Sequence, residues 1–352
     1  KPVALRSGEL VVARVVPVIE LPAAAVSGLT VLFDTSASRA LGFGAQIERL
    51  GALLEELQRQ EKSPIDLRVI AFDQSAEEVF RGPVNEFGLR AKARLLARDA
   101  LGASDLGAAL GFAANNSDGH ARMLLVGDGV ITAGIEDSTR LREAVARLAA
   151  HGVRRCDVLA EGGITDRETL ALLSRAGLAE TGVVLEARST VSELANRLRR
   201  ATRDRILVNL AGATWVYPEV LEGVQSGDER LIFAELPVDA PVQIELVGAA
   251  AEAYDTIEVP RPLIERAAAR AKIESLTRAL RALPADADSE RSRSEQEIVK
   301  LSVEYRVVSE LTAMLVLEGP SDYARFGLSR NALTSILRVS GRGLEVWDRR
   351  DS

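Results

Sequence analysis

The side chains best suited to chemistry in this chain lie in one loop, at Asp34, Ser36 and Ser38. The loop follows the apolar run 29–33, which predicts a buried strand, and it precedes a helix that begins near Gly44. One carboxylate and two hydroxyls are hard oxygen ligands of the kind that bind divalent cations. Open α/β sheets bind their ligands at the carboxyl ends of strands. The loop is therefore a candidate for one part of a cation site.

Two later loops bring further oxygen atoms to the same predicted edge. Ser104 precedes a short Ala-rich helix, and Asp128 follows the apolar run 122–126. Because the carboxyl ends of parallel strands share one edge, loops that are far apart in sequence meet there. Hydroxyls and carboxylates suit Mg²⁺, with some positions left to water or to a partner. We expect Asp105, next to Ser104, to cap the helix rather than to bind metal.

The elements that position these loops alternate between strand and helix over residues 29–201. Helical patterns separate the predicted strands, which lie at 29–33, 66–72, 122–126, 155–159 and 182–185. This alternation predicts a doubly wound, mostly parallel sheet with helices on both faces. The fold class is therefore α/β, of the Rossmann-like kind, for this domain.

The rest of the chain falls into four predicted segments: β strands at 1–28, a β-sandwich segment at 202–260, a helical hairpin at 261–310, and C-terminal strands within 311–352, at 314–317 and 344–347. We predict that the strands of 1–28 pair with the later β domain and that the C-terminal strands return to it. The α/β domain is then inserted in, or flanked by, a small antiparallel β domain.

The composition argues against some classes of function. Hydrophobic residues make up 47% of the 352 residues, and no apolar run is long enough to span a membrane. A net charge of -7 argues against a nucleic-acid partner, which needs clustered Lys and Arg. The single cysteine, Cys156, excludes an intrachain disulfide, and fits either a reducing compartment or an exported bacterial protein. Our leading expectation is the cell envelope or a secreted location, with the cytoplasm left open.

The three loops, at 34–38, 102–110 and 124–129, resemble in order the three parts of the metal-ion-dependent adhesion site of von Willebrand factor type A (VWA) domains. The resemblance covers 29–201. It implies bound Mg²⁺, with Mn²⁺ or Ca²⁺ as substitutes, and the metal-binding residues Asp34, Ser36, Ser38, Ser104 and Asp128.

The chain departs from the family pattern at three positions. Ser104 stands where the family usually has Thr, so the hydroxyl is kept without the β-methyl group that restricts its rotamer. Gly127 stands where Thr is common, and Ala37 where Gly is common. Residues 298–326 resemble bacterial proteins that pair a VIT domain (inter-α-trypsin inhibitor heavy chain type) with the VWA domain, which implies an upstream VIT domain.

Three functions compete for this site. A protein-interaction module ranks first, in which an Asp or Glu of a partner protein completes the metal shell. A metal-free scaffold ranks second, with the loop residues acting as helix caps and turns. A Mg²⁺-dependent hydrolase ranks last, because the loops carry no histidine and no second acid placed as a nucleophile, and Arg39 is the one basic residue near them. We therefore expect that the protein is not an enzyme.

Overall fold

The computed structural model of the chain describes residues 2–18, 21–115, 118–284, 286–313, 325, 335–340 and 343–348. The chain forms two compact units. The α/β unit comprises 17–205 and 222–228, and the β-rich unit comprises 1–16, 206–221 and 229–352. The α/β unit is thus wider than the predicted segment 29–201.

The strands, in chain order, are β1 (Val3–Ser7), β2 (Leu10–Val15), β3 (Gly28–Asp34), β4 (Asp66–Phe72), β5 (Ala76–Pro83), β6 (Arg122–Gly127), β7 (Arg155–Ala160), β8 (Val184–Glu186), β9 (Ile206–Leu210), β10 (Trp215–Tyr217), β11 (Val220–Leu221), β12 (Arg230–Glu235), β13 (Val242–Leu246), β14 (Glu252–Glu258), β15 (Ser335–Ser340) and β16 (Gly343–Asp348). The α-helices are α1 (Phe43–Gln60), α2 (Leu89–Leu96), α3 (Leu106–Asn115), α4 (Ser138–Arg147), α5 (Arg167–Arg175), α6 (Val191–Arg199), α7 (Arg261–Ala282) and α8 (Asp288–Tyr305).

The α/β unit is built on a six-stranded sheet in the order β5-β4-β3-β6-β7-β8. Every neighbouring pair is parallel except β4 and β5, which form an antiparallel edge. One apolar core packs α1, α2 and α6 against one face, and a second packs α3, α4 and α5 against the other. The predicted doubly wound, mostly parallel sheet is confirmed.

The central strand β3 shows why this sheet is buried on both faces. Val31 and Phe33 belong to the first core, whereas Leu32 belongs to the second. A strand that is covered on both sides has a continuous apolar sequence instead of an alternating one. The order of the strands places β3 between β4 and β6, so the residues that follow it lie at the middle of the sheet edge.

Helices α5 and α6 of the α/β unit begin at residues whose side chains cap the first turn. Helix α6 begins with a capping box, in which Glu193 N donates to Thr190 Oγ1 at 3.3 Å and Thr190 N donates to Glu193 Oε2 at 2.9 Å. At α5 the N-cap residue is Asp166, whose side chain accepts hydrogen bonds from two backbone N–H groups of the first turn.

The β-rich unit holds an eight-stranded sheet in the order β10-β12-β2-β1-β14-β13-β9-β11. The strands pair antiparallel except β1 and β14, which are parallel. Strands β1 and β2, from the start of the chain, therefore lie between β12 and β14. Helices α7 and α8 form the predicted helical hairpin, and Ile273, Ile298 and Leu301 pack between them.

The described C-terminal strands belong to the β-rich unit but do not join its eight-stranded sheet. The predicted strand at 344–347 lies in β16, and β16 pairs with β15 in a separate two-stranded sheet. Turn-linked neighbours in sequence satisfy each other's backbone groups without crossing to another sheet. The predicted strand at 314–317 lies outside the described residues. Among the residues that the structure describes, no helix has the length and apolarity needed to cross a bilayer.

Candidate metal site

Backbone hydrogen bonds join the first two loops at the carboxyl edge of the six-stranded sheet. Asp34 is the last residue of β3, and a short 3-10 turn follows it. Leu101 N donates to the carbonyl of Thr35 at 3.1 Å, and Ala37 N donates to the carbonyl of Gly102 at 3.0 Å. These bonds hold the loop before α3 against the loop after β3.

The third loop joins the other two. A Cβ atom added to Gly127 would lie 3.0 Å from Cβ of Asp34, so the end of β6 packs directly on the Asp34 side chain. Ser104 N donates to Thr132 Oγ1 at 2.8 Å, and Thr132 N donates back to the Ser104 carbonyl at 3.1 Å. The structure therefore brings together all three loops that the sequence singled out.

The hydroxyl groups have a spacing that suits an octahedral cation. Ser36 Oγ and Ser38 Oγ are 3.1 Å apart, and adjacent ligands of an octahedral Mg²⁺ ion lie about 3 Å apart. Ser104 is buried. Asp34 and Ser36 are buried as well, whereas Ser38 is exposed. The donor set fits a hard divalent ion that is open to solvent on one side.

Two buried carboxylates give the site its charge. Burial raises the pKa of Asp34 from 3.8 to about 6, two hydrogen bonds from Ser36 oppose this rise, and repulsion by the Asp128 carboxylate adds to it. Ser36 N donates to Asp34 Oδ1 at 2.8 Å, and Val130 N donates to Asp128 Oδ1 at 2.9 Å. A divalent cation between these groups would relieve both the burial penalty and the repulsion.

Arg39 is a part of the site to which the sequence analysis gave no role. Its side chain is almost completely buried, and Nη1 lies 3.6 Å from Asp128 Oδ2. The same guanidinium donates to the carbonyl of Glu161 and, at 2.6 Å, to Gln46 Oε1. A Cβ atom on Gly162 would lie 2.5 Å from Nη1, so the guanidinium fills a close-fitting space. The feature of the sequence that could have identified Arg39 is that it is the one basic residue of the three loops.

A fourth loop, after β7, also contributes and was not predicted. Glu161 N donates to the carbonyl of Gly127 at 3.0 Å, and Asp166 N donates to the carbonyl of Asp128 at 2.8 Å. The Glu161 carboxylate is buried, which raises its pKa, while Arg49 and Arg39 oppose the rise. Arg49 Nε lies 3.2 Å from Glu161 Oε1. This loop lies against Asp128 and bounds one side of the site.

Asp105 occupies the position expected of a helix cap. Ala108 N donates to Asp105 Oδ1 at 2.8 Å, which satisfies one of the unpaired N–H groups at the start of α3. In the part of the chain that the structure describes, no three His, Cys, Asp or Glu side chains are grouped so as to hold a metal ion. A metal site in this unit therefore depends on the serine hydroxyls.

No protein-family model matches the chain, and no curated protein sequence matches it. Solved structures resemble its fold. A von Willebrand factor type A protein from Catenulispora acidiphila is 12% identical, with a TM-score of 0.43, and the match covers 97% of this chain and 89% of that one. BatB from Bacteroides thetaiotaomicron is 13% identical, with a TM-score of 0.38, over 49% of this chain and 96% of that one.

A third solved structure is proximal thread matrix protein 1 from the mussel byssus, with zinc in its MIDAS motif. It is 19% identical, with a TM-score of 0.36, over 49% of this chain and 46% of that one. These are similarities of fold. The six-stranded sheet, with its antiparallel edge strand and the three loops at its carboxyl edge, is the α/β arrangement that the motifs predict.

Proposed function

We propose that the α/β unit is a metal-dependent protein-interaction module. Ser36, Ser38 and Ser104 bind a divalent cation through their hydroxyls, and Asp34 and Asp128 supply charge directly or through water. Mg²⁺ is the proposed ion, because a mixed set of hydroxyl, carboxylate and water oxygens is its preferred environment. The observation that carries this proposal is the 3.1 Å separation of the Ser36 and Ser38 oxygens beside two buried carboxylates.

A carboxylate from a partner protein is the proposed occupant of the open coordination position. Three neutral hydroxyls neutralise little of the charge of the ion, so it stays attractive to an Asp or Glu side chain. The exposed side of the site is at Ser38, where such a side chain can approach. Binding then requires both the metal and one acidic residue of the partner.

Binding is favoured over reaction because of what the loops contain. The stretches 34–41, 101–107 and 127–134 carry no His, Cys or Lys. Their one basic side chain, Arg39, is engaged with Asp128, Glu161 and Gln46. A hydrolase would need a general base or a nucleophile within hydrogen-bond reach of its substrate. We therefore propose a site for binding and not an enzyme active site.

A metal-free scaffold is the second candidate, and one observation favours it. The Arg39 guanidinium already places a positive charge beside Asp128, so the site has an internal counter-charge without any ion. In that case the serines serve only as turn and cap residues. The two candidates differ in whether Mg²⁺ or Mn²⁺ binds to the protein at all.

The proposed setting is a bacterial VIT/VWA protein of the cell envelope or the extracellular space, with an adhesion or assembly role. The resemblance of 298–326 to the tail of such proteins supports this setting. A VIT domain upstream of residue 1 belongs to the same proposal.

Titration calorimetry of the chelator-treated chain with Mg²⁺ and Mn²⁺ tests the proposal. We expect one ion per chain for the wild type, and no binding for Asp34→Ala. Asp105→Asn is the matched control, because it changes an acidic residue of the same edge and keeps the oxygen that caps α3. No heat of binding for the wild type with either ion would favour the scaffold.

A further inference from the structure

Three large aliphatic side chains in the loops around the candidate metal site are left exposed by the fold. Leu41 is 90% exposed, Leu101 is 64% exposed and Ile164 is 85% exposed. Each belongs to a different loop at the carboxyl edge of the six-stranded sheet. We refer to these three residues as the apolar rim.

Backbone contacts fix two members of the rim to the first loop of the site. Leu101 N donates to the carbonyl of Thr35, one residue after Asp34, at 3.1 Å. The carbonyl of Leu41 accepts a hydrogen bond from Gln46 Nε2 at 3.1 Å, and Gln46 also holds the Arg39 guanidinium. The backbones of both leucines are therefore hydrogen-bonded to residues next to the candidate site.

Ile164 lies in the loop after β7, which is hydrogen-bonded to the third loop. It lies between Glu161, whose N–H donates to the carbonyl of Gly127, and Asp166, whose N–H donates to the carbonyl of Asp128. Gly162 and Gly163 precede it and are exposed. The rim residues thus approach the candidate cation from the loops after β3, before α3 and after β7.

Single exposed aliphatic residues are common on protein surfaces, but their grouping around a polar site is informative. The fold gains little from these side chains, because most of their surface remains in water. Their transfer from water into a contact with a partner is favourable. A cation flanked by apolar side chains offers a partner two kinds of contact. The ion binds a carboxylate, and the apolar side chains contact the residues next to that carboxylate.

We infer that the apolar rim selects the partner, and that the partner presents its Asp or Glu between apolar residues on an exposed loop. This inference rests on the proposed function, since the cation binds the carboxylate while Leu41, Leu101 and Ile164 contact the flanking side chains. A carboxylate between polar residues reaches the ion but leaves the rim exposed to water. The rim therefore distinguishes acidic partners that the ion alone would treat alike.

Two synthetic peptides test this inference. One has the sequence acetyl-Gly-Leu-Asp-Leu-Gly-amide, and the other replaces both leucines with serine. Each is titrated into the full, ¹⁵N-labelled chain in the presence of MgCl₂, and amide shifts are followed by NMR. We expect the leucine peptide to bind at least about fivefold more tightly, with shifts at residues 41, 101 and 164.

The variant Leu41→Ser/Leu101→Ser/Ile164→Ser separates the rim from the metal. Because all three side chains are exposed, the fold should tolerate the changes. We expect the variant to lose the preference for the leucine peptide and to keep its Mn²⁺ affinity within about twofold. Leu89→Ser is the matched control. Leu89 is 86% exposed at the start of α2, so this variant should keep the preference for the leucine peptide.

Equal binding of the two peptides by the wild type would overturn the inference, as would a preference that survives in the triple variant. Mn²⁺ binding without binding of either peptide would also overturn it, while the metal part of the proposed function stands. Absence of Mn²⁺ binding by the wild type would instead contradict the proposed function, and the inference would fall with it.

Discussion

The guanidinium of Arg39 lies 3.6 Å from the carboxylate of Asp128, and both side chains are almost completely buried. A fixed positive charge therefore stands beside one of the proposed metal ligands. It compensates the buried carboxylate when no ion is present, and it repels a divalent ion that enters the site. Arg39 should thus stabilise the metal-free fold and weaken metal binding.

Replacement of this cation gives the first prediction. In Arg39→Met we expect the metal-free protein to lose about 3–5 kcal/mol of unfolding free energy, because Asp128 is left as an uncompensated buried charge. Mn²⁺ affinity should rise by about tenfold or more once the repulsion is removed. Urea denaturation and calorimetry measure the two effects. Arg49→Met is the control, since Arg49 pairs with Glu161 and should leave Mn²⁺ affinity near the wild-type value.

The raised pKa of Asp34 gives a prediction on pH. The folded protein holds this proton up to about pH 6, whereas the unfolded chain loses it near 3.8, so between these values the folded state binds more protons. The contribution of Asp34 to stability therefore falls as the pH rises through this window, by about 2–3 kcal/mol in total.

The comparison with Asp34→Asn isolates this contribution. In chelator, we expect the variant to gain stability relative to the wild type as the pH rises from 3.8 to about 6. The measurement is urea denaturation followed by far-UV circular dichroism across this range. Saturating Mg²⁺ should stabilise the wild type but not Asp34→Asn, and should therefore narrow the difference in unfolding free energy between the two proteins. A difference that does not vary with pH would show that Asp34 ionises as freely in the folded state as in the unfolded chain.

Gly127 gives a prediction on packing. A Cβ atom there would lie 3.2 Å from Asp34 Oδ2, so Gly127→Ala should displace the carboxylate and cost about 1–3 kcal/mol of unfolding free energy. We also expect weaker Mn²⁺ binding in calorimetry. Gly111→Ala is the matched control, because Gly111 lies in α3 with no atom within 4 Å of an added Cβ. That change should raise stability by up to about 1 kcal/mol without altering Mn²⁺ affinity.

A buried charge network in the six-stranded sheet gives a prediction on stability alone. Asp157 accepts from Arg122 Nη2 at 2.6 Å and from Arg155 Nε at 2.8 Å, and all three side chains are buried. Asp157→Asn should lower the unfolding free energy by about 3–5 kcal/mol, because two buried guanidinium groups lose their counter-charge.

Metal binding should be unaffected in Asp157→Asn, since Asp157 lies towards the start of β7, away from the carboxyl edge. The control for stability is Glu180→Gln, which breaks an exposed pair with Arg154 and should cost less than about 1 kcal/mol. Loss of Mn²⁺ affinity in Asp157→Asn beyond that explained by unfolding would contradict the separation of the two sites.

Local sequence signals were sufficient to predict the loops of the candidate site and the sheet that supports them. Asp34, Ser104 and Asp128 each follow or precede an element with a clear apolar period, and the rule that parallel strands share a carboxyl edge places the loops together. The Thr190 capping box is a local signal of the same kind, because its two partners are three residues apart.

Features that depend on contacts between distant segments were not predicted. The burial of Arg39 depends on Gln46 of α1 and on the loop after β7, which supplies the Glu161 carbonyl and the space beside Gly162. The pairing of β16 with β15 depends on a competition between sheets that apolar periodicity does not describe. Sequence periods indicate which face of an element is buried, but not which charged side chain is buried with it.

Anomalous diffraction from crystals of the chain grown with MnCl₂ tests directly whether the three serines bind a cation. We predict one strong anomalous peak bounded by the hydroxyls of Ser36, Ser38 and Ser104, with Asp34 and Asp128 in direct or water-mediated contact. Well-diffracting crystals without a peak at that position, and with the Arg39 guanidinium on Asp128, would contradict it.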